Sequence, residues 1–378
     1  MALVELGSIL HFEKGKKPIS QSDSPADGFL PYVDIEAFET GKIKQYTDGT
    51  KCTPCDDGDI LIVCDGSRSG LVGRAVKGYV GSTLAKISAD CLSDQYLFHF
   101  VQGKYALLNT KKKGTGTPHL NQELLKQQKL IVPSYSEQER IVARIEELFS
   151  QLDAGVETLK KTKAQLSVYR QAVLKEAFAV CKEYVAIESV TQHVTDGDHM
   201  PPPKADNGIP FIMISNIKEN AISWGNTAFV GRDYYDSIEP KRKPQNGDVL
   251  YTVTGSYGIP VLVDFNKEFC FQRHIALLRP NDAIEQKYLY YSLMEPSVYA
   301  QATKGATGTA QKTVGLGILR KIEIPFIENH SDQLRIVEAI ESRLSVCDSI
   351  EQTVDAALQQ AEAMRQSILK NAFEGKLT

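Results

Sequence analysis

The stretch QKLIVPSYSEQERIVARIEELFSQL, Gln128 to Leu152, carries the strongest structural signal in the chain. It joins a short apolar run, a proline and the first turns of an amphipathic helical pattern. A second copy, RKIEIPFIENHSDQLRIVEAIESRL, covers Arg320 to Leu344. Two copies of this combination within 378 residues predict two copies of one module.

The repeat extends upstream of this stretch at a separation of 192 residues. At that separation Gly116-Thr117 coincides with Gly308-Thr309, and Pro133 coincides with Pro325. Weaker similarities precede these, such as DGDIL at Asp57 and NGDVL at Asn246. The period is about half of the chain, which is far longer than the repeats of solenoid proteins.

Downstream, three extra residues in the second copy change the separation to 195. Gln138 then matches Gln333, and the match continues until Phe178 coincides with Phe373. The duplication therefore includes the whole of each helical pattern, from its first turn to its last.

Each helical segment, 137–178 and 332–373, lacks proline and carries apolar residues at spacings of three, four or seven. A heptad pattern of this length predicts coiled-coil pairing. Antiparallel pairing within one chain would place the two modules at opposite ends, related by a pseudo-twofold axis. Gly155 falls on the predicted seam, where it would allow close approach of the helices. A glycine inside a helix costs roughly 1 kcal/mol relative to alanine, so packing would have to compensate.

The rest of the chain combines short β-rich runs with glycine, proline, aspartate and asparagine, which predicts mixed α/β modules. We therefore predict a module at 1–136, a long helix at 137–180, a second module at 181–330 and a second long helix at 331–378. The predicted fold class is mixed α/β, with two modules joined by an antiparallel coiled coil.

The composition, 42% hydrophobic and 24% charged, is that of a globular protein. No apolar run approaches a membrane span, and the first residues lack the features of a signal peptide. Seven scattered cysteines in a chain of this size favour a reducing cytoplasm. The net charge of −4 means that any binding of nucleic acid must depend on local basic patches.

Motifs for catalysis are missing from the sequence. There is no GxxxxGK[ST] phosphate loop, no convincing glycine fingerprint for a cofactor, and no Asn/Asp-Pro-Pro-aromatic tetrad, which MPPPK at Met200 does not supply. The pair Cys52 and Cys55 has no second pair at zinc spacing. Cys64 and Cys91 could complete a site, but we interpret all four as ordinary thiols. We predict no catalytic residues and no metal.

Several loops have the composition of DNA contacts. Lysines attract phosphates, glycine and threonine backbones and hydroxyls donate to phosphate oxygens, and arginine forks suit guanine edges. The loops GSRSG at Gly66 and GSYGI at Gly255 occupy equivalent places in the two copies, and TDGDHMPPPK at Thr195 presents polar side chains. Taken singly, each cluster is better explained by a solvated surface, but clusters at matched places in a two-fold repeat favour DNA contacts. The candidate DNA-binding residues are Lys14, Lys16, Lys17, Arg68, Arg74, Lys111, Lys112, Lys113, Thr115, Thr117, Asp196, His199, Lys204, Lys241, Arg242, Lys243, Tyr257, Arg273, Lys304, Thr307 and Thr309.

These motifs together resemble the specificity subunit of type I restriction–modification systems. The resemblance rests on Thr115-Gly116-Thr117 to Phe178, on Thr307-Gly308-Thr309 to Phe373, and on the Asp-Gly-x-His loop that begins at Asp196. It covers the whole chain. It implies two target-recognition domains, each recognising one half of a split, asymmetric site in double-stranded DNA, with the helices as the spacer.

The resemblance also implies partners and cofactors. Two modification subunits would dock on the helices, carry S-adenosylmethionine and methylate adenine. Restriction subunits, if present, would use ATP and magnesium, whereas the specificity subunit has no cofactor or catalytic activity of its own. Two other hypotheses remain open at this point: a coiled-coil scaffold with two protein-binding heads, and a stand-alone DNA-methylation enzyme, which the missing tetrad opposes.

Overall fold

A computed structural model describes residues 2–114, 116–199, 202–309 and 311–377. The expected mixed α/β architecture is confirmed, since parts built from short strands and helices alternate with two long helices.

The elements of the first half end with the first long helix, α5. They are β1 (Ala2–Glu5), β2 (His11–Lys14), β3 (Leu30–Val33), α1 (Ile35–Thr40), β4 (Tyr46–Thr47), β5 (Pro54–Cys55), β6 (Ile60–Val63), β7 (Val72–Arg74), β8 (Gly78–Val80), β9 (Leu84–Ser88), α2 (Asp94–Gln102), α3 (Tyr105–Thr110), α4 (Gln122–Lys126), β10 (Lys129–Val132) and α5 (Tyr135–Phe178), with a 3-10 turn at Leu6–Ser8.

The second half repeats this plan and ends with the second long helix, α10. Its elements are β11 (Glu183–Ala186), β12 (Thr191–Asp196), β13 (Ile209–Ile212), β14 (Ile217–Lys218), β15 (Ala221–Ile222), β16 (Ala228–Val230), α6 (Arg232–Ser237), β17 (Val249–Thr252), β18 (Pro260–Leu262), β19 (Cys270–Phe271), β20 (Ile275–Pro280), α7 (Gln286–Leu293), α8 (Pro296–Gly305), α9 (Leu316–Lys321), β21 (Glu323–Phe326) and α10 (His330–Phe373), with 3-10 turns at Ile187–Ser189, Ile214–Asn216 and Pro240–Arg242.

The chain forms two compact units whose boundary passes through both long helices. The first unit consists of Met1–Leu159 and Ala356–Thr378, and the second consists of Lys160–Asp355. Each unit therefore contains one globular module, the first part of one long helix and the last part of the other. The division predicted from sequence treats each long helix as a separate segment, whereas in the structure each long helix is shared between the two units.

Equivalent sheets form in the two units. An antiparallel four-stranded sheet has the order β2-β9-β6-β7 in the first unit and β12-β20-β17-β18 in the second. A smaller sheet contains the parallel pair β3-β8 in the first unit and β13-β19 in the second. A two-stranded ribbon, β1-β10 or β11-β21, leads into the long helix of the module. The duplication predicted from sequence is thus confirmed at the level of topology.

The end of each long helix packs into the core of the unit that it enters. In the first unit the Phe373 ring lies edge-on to Tyr96, with ring centroids 5.1 Å apart. In the second unit Phe178 meets Tyr288 in the same way at 5.3 Å. Both tyrosines are buried, so these aromatic pairs contribute apolar burial as well as about 1 kcal/mol each from ring geometry.

A buried glutamine anchors the start of each long helix. Gln138 accepts a hydrogen bond from the Ser93 backbone N–H (2.7 Å) and donates to the carbonyls of Cys91 and Pro133 at 3.0 and 3.1 Å. Its counterpart Gln333 is also fully buried. It accepts from the Glu285 N–H (2.7 Å) and donates to two carbonyls at 3.0 and 2.8 Å. The repeated glutamine is therefore a structural residue, whose side chain joins the start of the long helix to the backbone of the preceding loops.

Both long helices begin two residues before the helical segments of the sequence, which start at 137 and 332, since α5 begins at Tyr135 and α10 at His330. The carbonyl of Ser134 accepts from the backbone N–H groups of Glu137 and Gln138 at the start of α5. At the start of α10 the side chain of Asn329 accepts from the Ser331 N–H at 2.9 Å. The Ser134 carbonyl thus accepts the first backbone bonds of α5, the Asn329 side chain caps α10, and both helices begin ahead of the glutamine.

Within each unit the two helix segments run antiparallel. In the second unit Lys163 pairs with Asp355 (2.7 Å), whereas Arg170 pairs with Glu351 (2.9 Å). In the first unit Arg365 pairs with Asp153. In the second unit, residue numbers rise along α5 as those of their partners fall along α10. The predicted antiparallel pairing is confirmed.

The predicted seam is less continuous than expected. Three residues that belong to the apolar spacing of the two helices, Tyr169, Ile350 and Met364, have exposed side chains. Gly155 is also exposed, and a Cβ built there has no atom within 4 Å. The prediction that Gly155 permits close helix approach is therefore wrong, because this position faces away from the partner helix.

Replacing Gly155 with alanine should stabilise the first unit. The new methyl group meets open space, so the change removes only the conformational cost of a helical glycine, about 1 kcal/mol. Urea unfolding followed by far-ultraviolet circular dichroism measures the gain. The matched control, Ala154→Gly at the exposed neighbour, should lower the free energy of unfolding by a similar amount. An unchanged Gly155→Ala midpoint would contradict a helical, solvent-facing position.

Candidate nucleic-acid interface

Three loops meet at one end of the four-stranded sheet in each module, and we call them the loop cluster. In the first module they are 15–17 after β2, 66–70 after β6, and 113–119 before α4. In the second module they are 197–204 after β12, 255–258 after β17, and 307–313 before α9, of which residues 200, 201 and 310 lie outside the described structure.

Backbone hydrogen bonds hold the third loop against the second in both modules. In the first, the Gly66 N–H donates to the Pro118 carbonyl (2.8 Å) and Leu120 donates to Cys64 (2.7 Å). In the second, the Gly255 N–H donates to the Lys312 carbonyl at 2.9 Å, and residue 314 bonds to strand residue 253 at 2.8 Å. The two loop clusters thus share one backbone scaffold.

The third loop closes on itself in the same way in both copies. Lys113 and His119 exchange two backbone hydrogen bonds of 2.9 and 2.8 Å, as Thr307 and Thr313 do at 2.9 and 2.7 Å. The residue after the first partner is glycine with positive φ in each copy, 91° at residue 114 and 103° at Gly308. A Cβ at these glycines would lie 2.9 and 2.4 Å from a carbonyl oxygen across the loop, so the tight closure requires glycine.

This geometry corrects the register of the sequence repeat. Gly308 corresponds to Gly114, at a separation of 194 residues, and not to Gly116. The proline match also fails, because Pro325 lies inside β21 opposite Tyr184, whereas Pro133 follows β10. A single extra residue in the second copy, and not three, then restores the separation of 195 at the buried glutamines.

In the first module a side chain from the third loop meets side chains that directly precede the first two loops. Lys14 Nζ lies 2.7 Å from one oxygen of Asp65, and His119 Nδ1 lies 2.7 Å from the other. Burial by itself would raise the pKa of Asp65, but the hydrogen bonds from Lys14 and His119 outweigh it and hold the pKa below its usual value. At neutral pH the ionised Asp65 therefore fixes the positions of two cationic or donor side chains.

Other predicted residues of the first module lie around this group. Arg68 pairs with Glu39, and Lys112 Nζ donates to the Ser67 carbonyl at 2.9 Å. The remaining candidates on the cluster are exposed, and they are Lys16, Lys17, Lys113 and Thr117. Lys111 is exposed between α3 and the third loop. Thr115 lies outside the described residues.

Arg74 is not brought to the loop cluster. Arg74 lies in β7 and pairs with Ile60 of β6, at the end of β6 that is far from the loops. Its guanidinium donates to the Gly58 carbonyl at 2.8 Å and lies 4.5 Å from the centre of the Phe98 ring. The geometry therefore gives Arg74 a local structural role.

In the second module the same scaffold carries different chemistry. Asp196, which replaces Lys14 at the end of the strand, accepts from Arg242 at 2.9 Å and contacts His199 Nε2 at 2.7 Å. Arg242 also donates to the carbonyl of residue 197. The Tyr234 hydroxyl donates to Asp198 at 2.5 Å. These bonds order a polar loop of donors and acceptors around the cluster.

Two cavities flank this loop in the second module. The first, about 330 Å³, is lined by polar groups that include Asp196 and Gln311. The second, about 310 Å³, is more apolar and includes Lys204 and Phe229 in its lining. Both cavities share His199, Arg273 and His274. Burial, followed by the nearby charge of Arg273, lowers the pKa of His274, so His274 is a neutral hydrogen-bonding group at neutral pH.

The other candidates in the second module fall in two groups. Thr307 and Thr309 are exposed on the third loop. Lys241 pairs with Glu239, Lys243 lies 4.7 Å from the Tyr235 ring centre, and Lys304 lies in the last turn of α8. Tyr257 stacks on a tyrosine ring at 5.8 Å, and its hydroxyl bonds to Thr303.

Sequence reasoning missed Asp65, His119, Tyr234 and His274, which the structure adds to the clusters. An isolated aspartate or histidine in a loop has no periodicity or spacing that marks it. The sequence did contain a signal for the alignment of the third loops. In each copy a glycine lies six residues before a buried aliphatic residue, Leu120 or Val314.

Among the described residues, no group of three or more histidine, cysteine, aspartate or glutamate side chains is placed to hold a metal ion. The described helices include none that is both long and apolar enough for a membrane span.

Each half of the chain thus combines an α/β module, a polar loop cluster on that module and a long helix. The family model for the type I restriction modification DNA specificity domain matches residues 1–167 and again 196–360. The chain therefore belongs to this family, and recognition of DNA follows from the family.

Full-length relatives agree with this assignment. The chain is 24% identical to the type I restriction enzyme MjaVIII specificity subunit of Methanocaldococcus jannaschii, over 99% of this chain and 92% of that protein. It is 22% identical to the EcoBI specificity subunit of Escherichia coli, over 85% of this chain and 74% of that protein. Specificity subunits of type I systems are non-catalytic.

Solved structures share the fold. One is a chain from a study of complex assembly and conformational transition of the type I R-M system, with TM-score 0.74, 20% identity and coverage of 99% of this chain and 98% of that chain. Another is the HsdS subunit from Thermoanaerobacter tengcongensis, with TM-score 0.51, 20% identity and coverage of 99% and 97%.

Proposed function

We propose that this protein is the DNA-recognition subunit of a type I restriction–modification complex, and that each module recognises one half of a bipartite, asymmetric site. The long helices would determine the gap and dock two modification subunits that methylate adenine. The protein would have no cofactor of its own. S-adenosylmethionine would bind the modification subunits, and ATP and magnesium would bind restriction subunits where these are present.

Two different half-sites are supported by one observation: the loop clusters of the two modules share a backbone arrangement but carry different side chains at equivalent positions. The loop closures and their backbone hydrogen bonds coincide in the two modules. The side chains at equivalent places differ, since Lys14 corresponds to Asp196 and His119 corresponds to Thr313. A shared backbone positions the loops on DNA, whereas different donors and acceptors select different base edges.

Two linked modules also explain how modest contacts would give a specific site. Phosphate contacts alone bind weakly at physiological salt and do not depend on sequence. Joining two half-site binders raises the effective concentration of the second after the first has bound. Half-sites about one helical turn apart, on the order of 34 Å, would face the same side of the duplex.

The test is single-molecule sequencing of modified adenines in the native genome, with and without the gene for this chain. We expect methylation at one gapped, asymmetric motif to disappear with the gene. An unchanged pattern in a genome whose modification subunit is expressed and active would overturn the proposal and favour a scaffold that binds only proteins.

Removing Lys111 and Lys113 together should weaken binding to every DNA sequence alike. Lys113 is exposed on the third loop, Lys111 is exposed between α3 and that loop, and both have the chemistry of phosphate contacts. We expect the slope of log K against log salt concentration to fall by about 2, roughly one for each lost phosphate contact. Fluorescence anisotropy with a random-sequence duplex measures the slope.

The control for this pair is Lys161→Ala, which removes an exposed lysine from α5 and should leave the slope unchanged. In contrast, substitution of Arg68 or His199 should change sequence preference more than salt dependence. A double lysine variant that keeps full affinity at all salt concentrations would rule out this division of roles.

A further inference from the structure

The arginines of the two modules differ in whether their guanidinium groups are already engaged. Within the described part of the chain, each one except Arg273 has a hydrogen-bonding or ionic partner. These partnerships are Arg68 with Glu39, Arg74 with Gly58 and Gln95, Arg232 with Glu268, Arg242 with Asp196, Arg279 with Asp248, and Arg320 with Val194. Arg273 thus keeps all of its donors available to a ligand.

The backbone around Arg273 is fixed while its side chain is exposed. The Arg273 N–H donates to the Asp198 carbonyl at 3.0 Å, and the preceding Gln272 donates to Ile212 at 3.0 Å. The side chain lies on the wall that the two cavities of the loop cluster share, between His199 and His274. The fixed backbone lowers the entropy cost of binding, and the unengaged guanidinium gives up no partner within the described residues when it meets a ligand.

The neighbours of Arg273 favour a base edge over a phosphate as its ligand. Asp196 and Gln311 line the first cavity together with Arg273. A carboxylate repels phosphate, but it can accept hydrogen bonds from the amino group of a base. Arginine binds the O6 and N7 atoms of guanine with two parallel hydrogen bonds, which is the commonest specific contact in the major groove.

The equivalent position in the first module is Ser82. The residues just before Ser82 and Arg273 make the same backbone hydrogen bond. The Gly81 N–H donates to the carbonyl of Val33 at 2.9 Å, as the Gln272 N–H donates to the carbonyl of Ile212. The following residues also correspond. The Thr83 carbonyl accepts from the N–H of the residue after β6, and the His274 carbonyl accepts from the N–H of the residue after β17. A serine hydroxyl has no planar fork, so the first module lacks this contact.

We propose that Arg273 is a specificity-determining residue that recognises a guanine in the half-site of the second module. This inference rests on the proposed function and adds the identity of one base. The half-site of the first module has no guanine selected through position 82.

The test uses the full chain in complex with its modification subunit. Sequencing of methylated adenines first establishes the wild-type motif, and is then repeated with Arg273→Ala and Arg273→Lys. We expect both variants to accept other bases at one guanine of a single half-site. Arg232→Ala, which removes another exposed arginine of the same module, should keep the complete motif.

Binding to four duplexes that differ only at this position separates a base contact from a phosphate contact. The wild type should prefer guanine by roughly 5- to 150-fold, the range for one bidentate pair, and Arg273→Ala should lose most of that preference. An equal loss of affinity for all four duplexes, or an intact guanine requirement, would refute the inference but not the proposed function. If the wild-type complex methylates no gapped motif, the proposed function fails and the inference fails with it.

Discussion

Inserting seven residues into both long helices should lengthen the gap between the two half-sites by about three base pairs and leave both half-site sequences unchanged. Seven helical residues add about 10.5 Å at 1.5 Å per residue, and DNA rises 3.4 Å per base pair. Seven residues also preserve the heptad pattern of the seam. The insertion points are after Leu159 and after Asp355, where both helices cross the boundary between the compact units.

Both helices must be lengthened because their segments are antiparallel partners within each unit. An insertion into α5 alone would make the register of pairs in the second unit, such as Lys163 with Asp355, incompatible with that of pairs in the first, such as Asp153 with Arg365. Sequencing of methylated adenines with the modification subunit present reads the gap directly. The control places the same seven residues after Gly225, at an exposed turn where an added Cβ meets no atom within 4 Å. This control should leave the gap unchanged.

A doubly lengthened variant that methylates the original motif would show that the helices do not determine the gap. A variant with changed half-sites would show that the helices help to shape the loop clusters. Only a longer gap with intact half-sites agrees with independent recognition by two modules.

Replacing either buried glutamine with alanine should cost about 3 kcal/mol in the unit that contains it. Gln138→Ala leaves the Ser93 N–H and the Cys91 and Pro133 carbonyls without their partner. An unsatisfied buried polar group costs about 1–3 kcal/mol, and the vacated volume adds to this. Gln333→Ala should have an equal effect on the second unit.

The single tryptophan separates the two effects. Trp224 belongs to the second unit, where its ring packs edge-on against Phe265 and Phe269 at 5.6 and 5.7 Å. In urea unfolding, Gln333→Ala should lower the midpoint of the Trp224 fluorescence transition. Gln138→Ala should lower the circular dichroism midpoint of the first unit. Gln359→Ala, an exposed glutamine of α10, serves as the control, and equal midpoints for all three variants would contradict the anchoring role.

The functional classification could be inferred from sequence to an unusual depth because the signal is duplicated. The two helices lack proline and keep an apolar spacing over their whole length, so local periodicity was enough to predict them. Gln138 and Gln333 were recognised as repeated positions, but their role was not, since two of the three partners of each lie in loops more than 40 residues earlier.

The register of the repeat shows where sequence comparison failed. The loop contains glycine-threonine twice, at Gly114 and at Gly116, so residue identity fits either alignment. Backbone geometry selects Gly114, because only this glycine has the positive φ and the close carbonyl that Gly308 has.

The sequence by itself determined the duplication, the α/β class, the paired helices and the family, because these depend on local patterns that each copy repeats. Only the tertiary structure decided which side chains act together. Lys14, Asp65 and His119 are brought into contact across 51 and 54 residues of chain, and Arg273 is distinguished by the absence of a partner within the described residues. Such pairings depend on how the loops close in space, and nothing in the spacing of residues along the chain encodes them.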